Sequence, residues 1–200
     1  LDNIGSIIMI INFFKILGII DFYVQFFIMN ISLIIFLLAH IDAFDKKIVE
    51  FGKFSGPGEF LIIYIIIAFI RSYIEININK YINLNFVIIC TFGILLYTIY
   101  KTLRLKNDYK LTRINLTISL IFASVPLILN VIGIKSSKEY EMMRIISSGF
   151  IFAMITGDII VAKMASRDLH NIIPILTLIS LLDYNVSFII TIVYYVVVLT

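Results

Sequence analysis

Tryptophan is absent from this 200-residue chain, and cysteine occurs once, at Cys90. A single cysteine excludes an internal disulfide framework and a cysteine-based zinc site. Histidine is limited to His40 and His170, and proline to Pro57, Pro126 and Pro174. Charged residues make up only 14%, against 61% hydrophobic residues and a mean hydropathy of +1.07. Such a balance lies outside the range of soluble globular domains. No His/Cys/Asp/Glu cluster with metal-ligand spacing, no phosphate-cradling P-loop and no Ser-His-Asp set is visible in the sequence.

What is present is long apolar runs. Eight of them are read, over roughly 3–20, 22–40, 59–78, 84–100, 112–134, 144–165, 171–182 and 185–200. Several reach or approach the ~20 residues that a helix needs to cross ~30 Å of hydrocarbon. None alternates with the period of two expected of a barrel strand. The expectation is therefore an all-α polytopic transmembrane bundle of about eight spans, forming one membrane domain over 1–200. The segment 171–182 is short, and Pro174 near its start suits a first helical turn. The chain begins on Leu1 with no signal-peptide pattern, and is expected to be a piece of something longer. Sequons at Asn30, Asn115 and Asn185 lie in or beside apolar segments and carry little weight.

The net charge of +3 does not point to nucleic acid, because the basic residues sit in short loops. With eight spans, loops 41–58, 101–113 and 163–170 share one side. They hold Lys46, Lys47, Lys53, Lys101, Arg104, Lys106, Lys110, Arg113, Lys163 and Arg167. The other side holds Arg71, Lys80, Lys135, Lys138 and Arg144. The positive-inside rule puts the first set in the cytosol, and Asp2, His40, Glu59 and Lys163 with it.

Individual polar residues have both plain and functional readings. With Gly56 as N-cap, Pro57 falls at the first helical position and Glu59 at the third, where a carboxylate reaches back to the cap. The same position can hold a carboxylate at the membrane surface to orient a substrate. Asp2 ahead of an apolar helix reads as an ordinary N-cap, and His40 as an interfacial helix terminus. Lys15 and Asp158 lie within spans, where ionisable groups line cavities or pair; a Lys15–Asp158 pair is one expectation. Lys163, Arg167, Asp168 and His170 read as a polar helix end on the cytosolic rim.

Two regions resemble the CDP-alcohol phosphotransferases of the eukaryotic choline/ethanolamine type. Ser55-Gly56-Pro57-Gly58-Glu59, followed by Leu61-Ile62-Ile63-Tyr64, resembles the family's Asn-Gly-Pro-Thr-Glu-Gly turn and the helix it opens. Gly149-Phe150-Ile151-Phe152-Ala153-Met154-Ile155-Thr156, then Val161-Ala162-Lys163-Met164 and Ser166-Arg167-Asp168-Leu169-His170, resembles Gly-Phe-Val-Ser-Ala-Lys-Ile-Thr, Val-Ala-His-Met and Lys-Ser-Glu-Met-His. Order and spacing are kept across more than twenty residues. The family's defining motif, Asp-Gly-x2-Ala-Arg-x8-Gly-x3-Asp-x3-Asp, is not in the chain. Spacing back from Glu59 aligns Asp2 with its last aspartate, and the eight segments with the last eight of the family's ten helices.

The resemblance implies transfer of phosphocholine or phosphoethanolamine from CDP-choline or CDP-ethanolamine to diacylglycerol, with release of CMP. It implies Mg²⁺ or Mn²⁺, and a site facing the cytosol from an endoplasmic reticulum or Golgi membrane. Asp2 and Glu59 would be catalytic, Asp2 also standing near the metals, and His40 and Lys163 would bind substrate. Membrane lipid surrounds such a protein, and a homodimer is an open assembly. This stretch alone is expected to be inactive. Two departures stand out: Trp-x-x-Tyr reads Ile41-Asp42-Ala43-Phe44, and Lys163 replaces a histidine. The alternatives are a polytopic transporter using Lys15 and Asp158, or a non-catalytic scaffold.

Overall fold

Local chemistry punctuates the apolar runs where the sequence predicts. The computed structural model describes residues 2–46, 57–74, 81–106, 109–133, 141–182 and 184–198. Among the described residues eight helices follow in order: α1 (Asp2–Leu17), α2 (Phe22–Lys46), α3 (Pro57–Tyr73), α4 (Leu84–Leu103), α5 (Lys110–Ile132), α6 (Glu141–Met164), α7 (Ile172–Ile179) and α8 (Tyr184–Val198). There is no strand among the described residues. Helix α2 is opened by Asp21, whose Oδ1 accepts from the Val24 N–H at 2.9 Å. Helix α4 is opened by Asn83, which accepts from the Asn85 and Phe86 amides. Helix α5 stops at Gly133, in the left-handed region at φ 83° that glycine enters without strain. Helix α3 begins on Pro57, as expected, while its cap Gly56 lies outside the described residues.

The centre of the bundle is α6, whose residues are buried almost continuously from Arg144 to Ile159. It packs against α1, α2, α5, α7 and α8, and α2 also packs against α4. Small residues let neighbours approach, which matters in lipid because close packing drives helix association there. A Cβ on Gly149 would stand 3.0 Å from Ile7 Cδ1 of α1, and one on Gly157 3.2 Å from the Tyr195 hydroxyl of α8. Ser148 donates to Asn30 Oδ1 at 2.6 Å, joining α6 to α2. On α4 the buried stripe Val87, Thr91, Leu95, Thr98, Thr102 follows helical spacing. Its three threonines donate back to Val87, Ile94 and Thr98 carbonyls, so no hydroxyl is left bare in an apolar setting.

The expectation of eight spans is too many. Only α2, α4, α5 and α6 are long and apolar enough to cross a bilayer, by length and composition among the described residues. The other helices have 16 residues in α1, 17 in α3, 8 in α7 and 15 in α8. At 1.5 Å per residue α7 covers only about 12 Å. Contacts show where α8 sits: Phe188 meets Phe150 at 5.2 Å between ring centroids, and Tyr194 reaches Asp158. Helix α8 thus runs along α6 in the same direction, from the level of Phe150 to that of Asp158.

Candidate functional site

The polar side chains gather at one end of the bundle. Lys101, near the end of α4, pairs with Asp42 near the end of α2 at 3.0 Å. Phe44 packs edge-on against Tyr109, just ahead of α5, with centroids 4.7 Å apart. Thr112, in the first turn of α5, meets Asp168 beyond the end of α6. Three loops that the basic-residue count assigns to one side, 41–58, 101–113 and 163–170, therefore come to the same end wherever they are described.

The α6–α7 turn is locked there. Asp158, fully buried, receives four hydrogen bonds: Oδ1 from Arg167 Nη2 at 3.0 Å, His170 Nδ1 at 2.6 Å and the Tyr194 hydroxyl at 2.7 Å, and Oδ2 from the His170 backbone N–H at 2.8 Å. A carboxylate only accepts, so His170 donates through its Nδ1–H. Ser166, at φ 51°, turns the chain back toward α6. Arg167 Nη1 also holds the Asp168 carbonyl at 2.7 Å. Asp168 Oδ1 accepts from the Thr112 amide and hydroxyl at 3.1 and 2.6 Å, and the Thr112 hydroxyl oxygen accepts from Leu169 N–H. Asn115 donates to the Leu169 carbonyl and to Asn171 Oδ1. Each buried polar group of the turn has a partner, as burial requires.

The expected Lys15–Asp158 pair does not form. Asp158 is engaged by Arg167, His170 and Tyr194, and Lys15 is exposed near the end of α1. Tyr194 gives no signal in the sequence, since it is one hydroxyl in an apolar helix. Arg167 and His170, expected on a solvated rim, instead turn inward to Asp158. The usable signal is proximity in sequence: the first arginine and the first histidine after Asp158 follow it by nine and twelve residues.

His40 and Lys163 lie on a second face. Helices α2 and α6 run the same way, because Arg144 lies over the Phe22 ring at 5.7 Å in their first turns and Asn30 meets Ser148 further along both. His40 is ten residues beyond Asn30, a rise of about 15 Å, and so comes level with Asp158. Its ring is 8% exposed and stacks edge-on against Phe36 at 4.7 Å, while Nε2 has no hydrogen-bond partner among the described residues. Rotating 100° per residue, His40 turns about −80° from the Asn30 direction and Lys163 about +60° from the Ser148 direction. On two parallel neighbours these opposite senses lead to the same side of the seam. Gly149, at about +100°, faces that side too, and against it lies α1.

Helix α1 is joined to α2 by residues 18–21 and runs back along it. From the Ile7–Gly149 contact, its first turn rises to about the depth of Met154, within ~6 Å of the His40 level. The backbone of Asp2 thus enters on the side that carries His40 and Lys163. Glu59 lies in the first turn of α3, which packs on α1. The side chains of Asp2 and Glu59, and the turn through Ser55 and Gly56, lie outside the described residues. Among the described residues no three His, Cys, Asp or Glu groups assemble to hold a metal ion. A divalent-cation site is therefore not built from them, and no step is routed through one.

Set against protein-family models, curated proteins and solved structures, the chain matches none, and the site rests on its own residues.

Proposed function

We propose that the chain carries the lipid-facing part of a CDP-alcohol phosphotransferase, moving phosphocholine or phosphoethanolamine onto diacylglycerol. The observation that supports it most is the convergence just described. The side of the α2–α6 seam that carries His40 and Lys163 also receives the start of α1, where the resemblance assigns a general base. Residues chosen by resemblance from three distant stretches lie toward the polar end of an apolar bundle, within about 14 Å of depth. A water-soluble donor and a leaflet-bound acceptor can meet only at such a boundary.

In this reading the diacylglycerol hydroxyl oxygen bonds to the β-phosphorus of the CDP-alcohol. The bond from that phosphorus to the bridging oxygen breaks, and CMP leaves with the electron pair. Asp2 takes the hydroxyl proton as general base, and Glu59 orients the hydroxyl. His40 and Lys163 hold the donor. The reading carries a requirement for Mg²⁺ or Mn²⁺, with ligands on aspartates that these 200 residues do not contain. Cytosolic orientation in an endoplasmic reticulum or Golgi membrane is part of the same proposal.

The test is incorporation of radiolabelled CDP-choline and CDP-ethanolamine into lipid by membranes carrying the complete gene product. Transfer from one donor is expected, with a loss of about 10²-fold or more in Asp2→Asn, the scale of general-base catalysis. No transfer from either donor, or transfer undiminished in chelator, overturns the proposal. A proton-coupled transporter built on Lys15 and Asp158 has lost its pair, since Asp158 is engaged elsewhere.

A further inference from the structure

Burying an imidazole nitrogen without a partner is costly, because it loses water and gains nothing. His40 Nε2 is such an atom among the described residues, on a ring more than nine-tenths buried. It stands at the polar end of the bundle, on the side of the α2–α6 seam to which Lys163 also turns. The Cα of Lys163 is five residues past the His40 level, about 7 Å along α6. Helical side chains lean toward the N-terminus, so the four-carbon stem of Lys163 leads back toward the His40 level.

Among the described side chains, the charge on this side is positive. Asp42, two residues after His40, points about 200° around α2 from it and is held by Lys101. Asp158 is saturated by Arg167, His170 and Tyr194 on another face of α6. Among the described residues no carboxylate is paired with Lys163. A ligand bringing a quaternary ammonium or a primary amine would meet a like charge; one bringing anionic oxygens would satisfy both groups.

The geometry points to a phosphoryl-oxyanion site at this edge of the α2–α6 seam, where His40 Nε2–H and the Lys163 ammonium hold the oxygens of a phosphate ester. It deepens the transferase reading and rests on it for the identity of that ester: the phosphate part of the donor lies here, and its alcohol head group lies elsewhere. The same chemistry is carried by a soluble diphosphate and by an anionic lipid head group.

The chain has two histidines, so ring-¹⁵N labelling of the purified protein in maltoside micelles gives two imidazoles to follow, one of them a built-in control. Inorganic pyrophosphate is added in one arm and short-chain phosphatidic acid in the other, with diacylglycerol as the uncharged comparison. The expected result is a saturable shift of the His40 Nε2 signal by pyrophosphate, phosphatidic acid or both, while His170, held on Asp158, stays in place. Response to pyrophosphate alone identifies a soluble source, and response to phosphatidic acid alone a lipid one. In Lys163→Met the apparent Kd rises about tenfold or more, the scale of one charge-assisted hydrogen bond, and Lys163→Arg restores it.

No shift in either arm, equal movement of His170, or an unchanged Kd in Lys163→Met overturns the site. Binding is read without turnover, so the two proposals fail separately. A His40 shift without CDP-alcohol transfer leaves the oxyanion site and removes the transferase. Transfer without a shift does the reverse.

Discussion

Two ion pairs of the same length should differ several-fold in what they contribute. Asp158–Arg167 and Asp42–Lys101 are both 3.0 Å, but the Asp158 side chain is 0% exposed and that of Asp42 43%. Asp158→Asn keeps the shape and removes the charge. It also places an amide N–H₂ where one carboxylate oxygen stood, facing the His170 backbone N–H or the Arg167, His170 and Tyr194 donors. Breaking a buried pair costs 3–5 kcal/mol, because the remaining partner is stranded. Arg167 is 28% and His170 39% exposed, so water recovers part of that and the lower end applies, about 3 kcal/mol. Asp42→Asn should cost under about 1 kcal/mol, since both its partners reach solvent. Reversible unfolding in mixed dodecyl maltoside–SDS micelles measures both. A loss of under about 1 kcal/mol in Asp158→Asn, or equal losses in the two variants, would refute the reasoning.

Other consequences are smaller. Ser148→Ala leaves Asn30 Oδ1 buried without its donor and should cost about 1 kcal/mol in the same assay. Gly149→Leu forces a side chain where Ile7 Cδ1 lies 3.0 Å from the ideal Cβ; hydrogen exchange should accelerate along α1 and remain unchanged along α4. Thr112→Val removes the hydroxyl that joins Asp168 to the Leu169 amide, and exchange at Leu169 should rise by about tenfold, the equivalent of one lost hydrogen bond.

Helix positions were legible because apolar runs and their breakers are local properties. Asp21, Asn83 and Gly133 end or open helices through their own backbones and caps. Depth was not legible. The stretch from Ile172 to Val198 reads as two spans by hydropathy, yet α7 turns back after about 12 Å, a decision made by packing on α6. At the site, His40 and Lys163 could be named from sequence but not joined, since the seam that unites them depends on the Asn30–Ser148 register. Asp158 is paired not with Lys15 but with Arg167 and His170 in the loop that follows α6 and with Tyr194 of α8. Pairing two in-span charges ignored that a chain can fold back on itself at Ser166.

The order of those partners along the chain has a consequence for synthesis. Every donor to Asp158 is translated after it: Arg167 and His170 in the following turn, and Tyr194 in α8. When α6 first enters the bilayer its carboxylate has none of them, and an unpaired acid in a span disfavours insertion. Helices of 8 and 15 residues cannot be inserted independently as two spans, so they must dock on α6 as it waits. Integration of α6 is therefore coupled to the synthesis of the turn and of the α8 residue that hold its carboxylate.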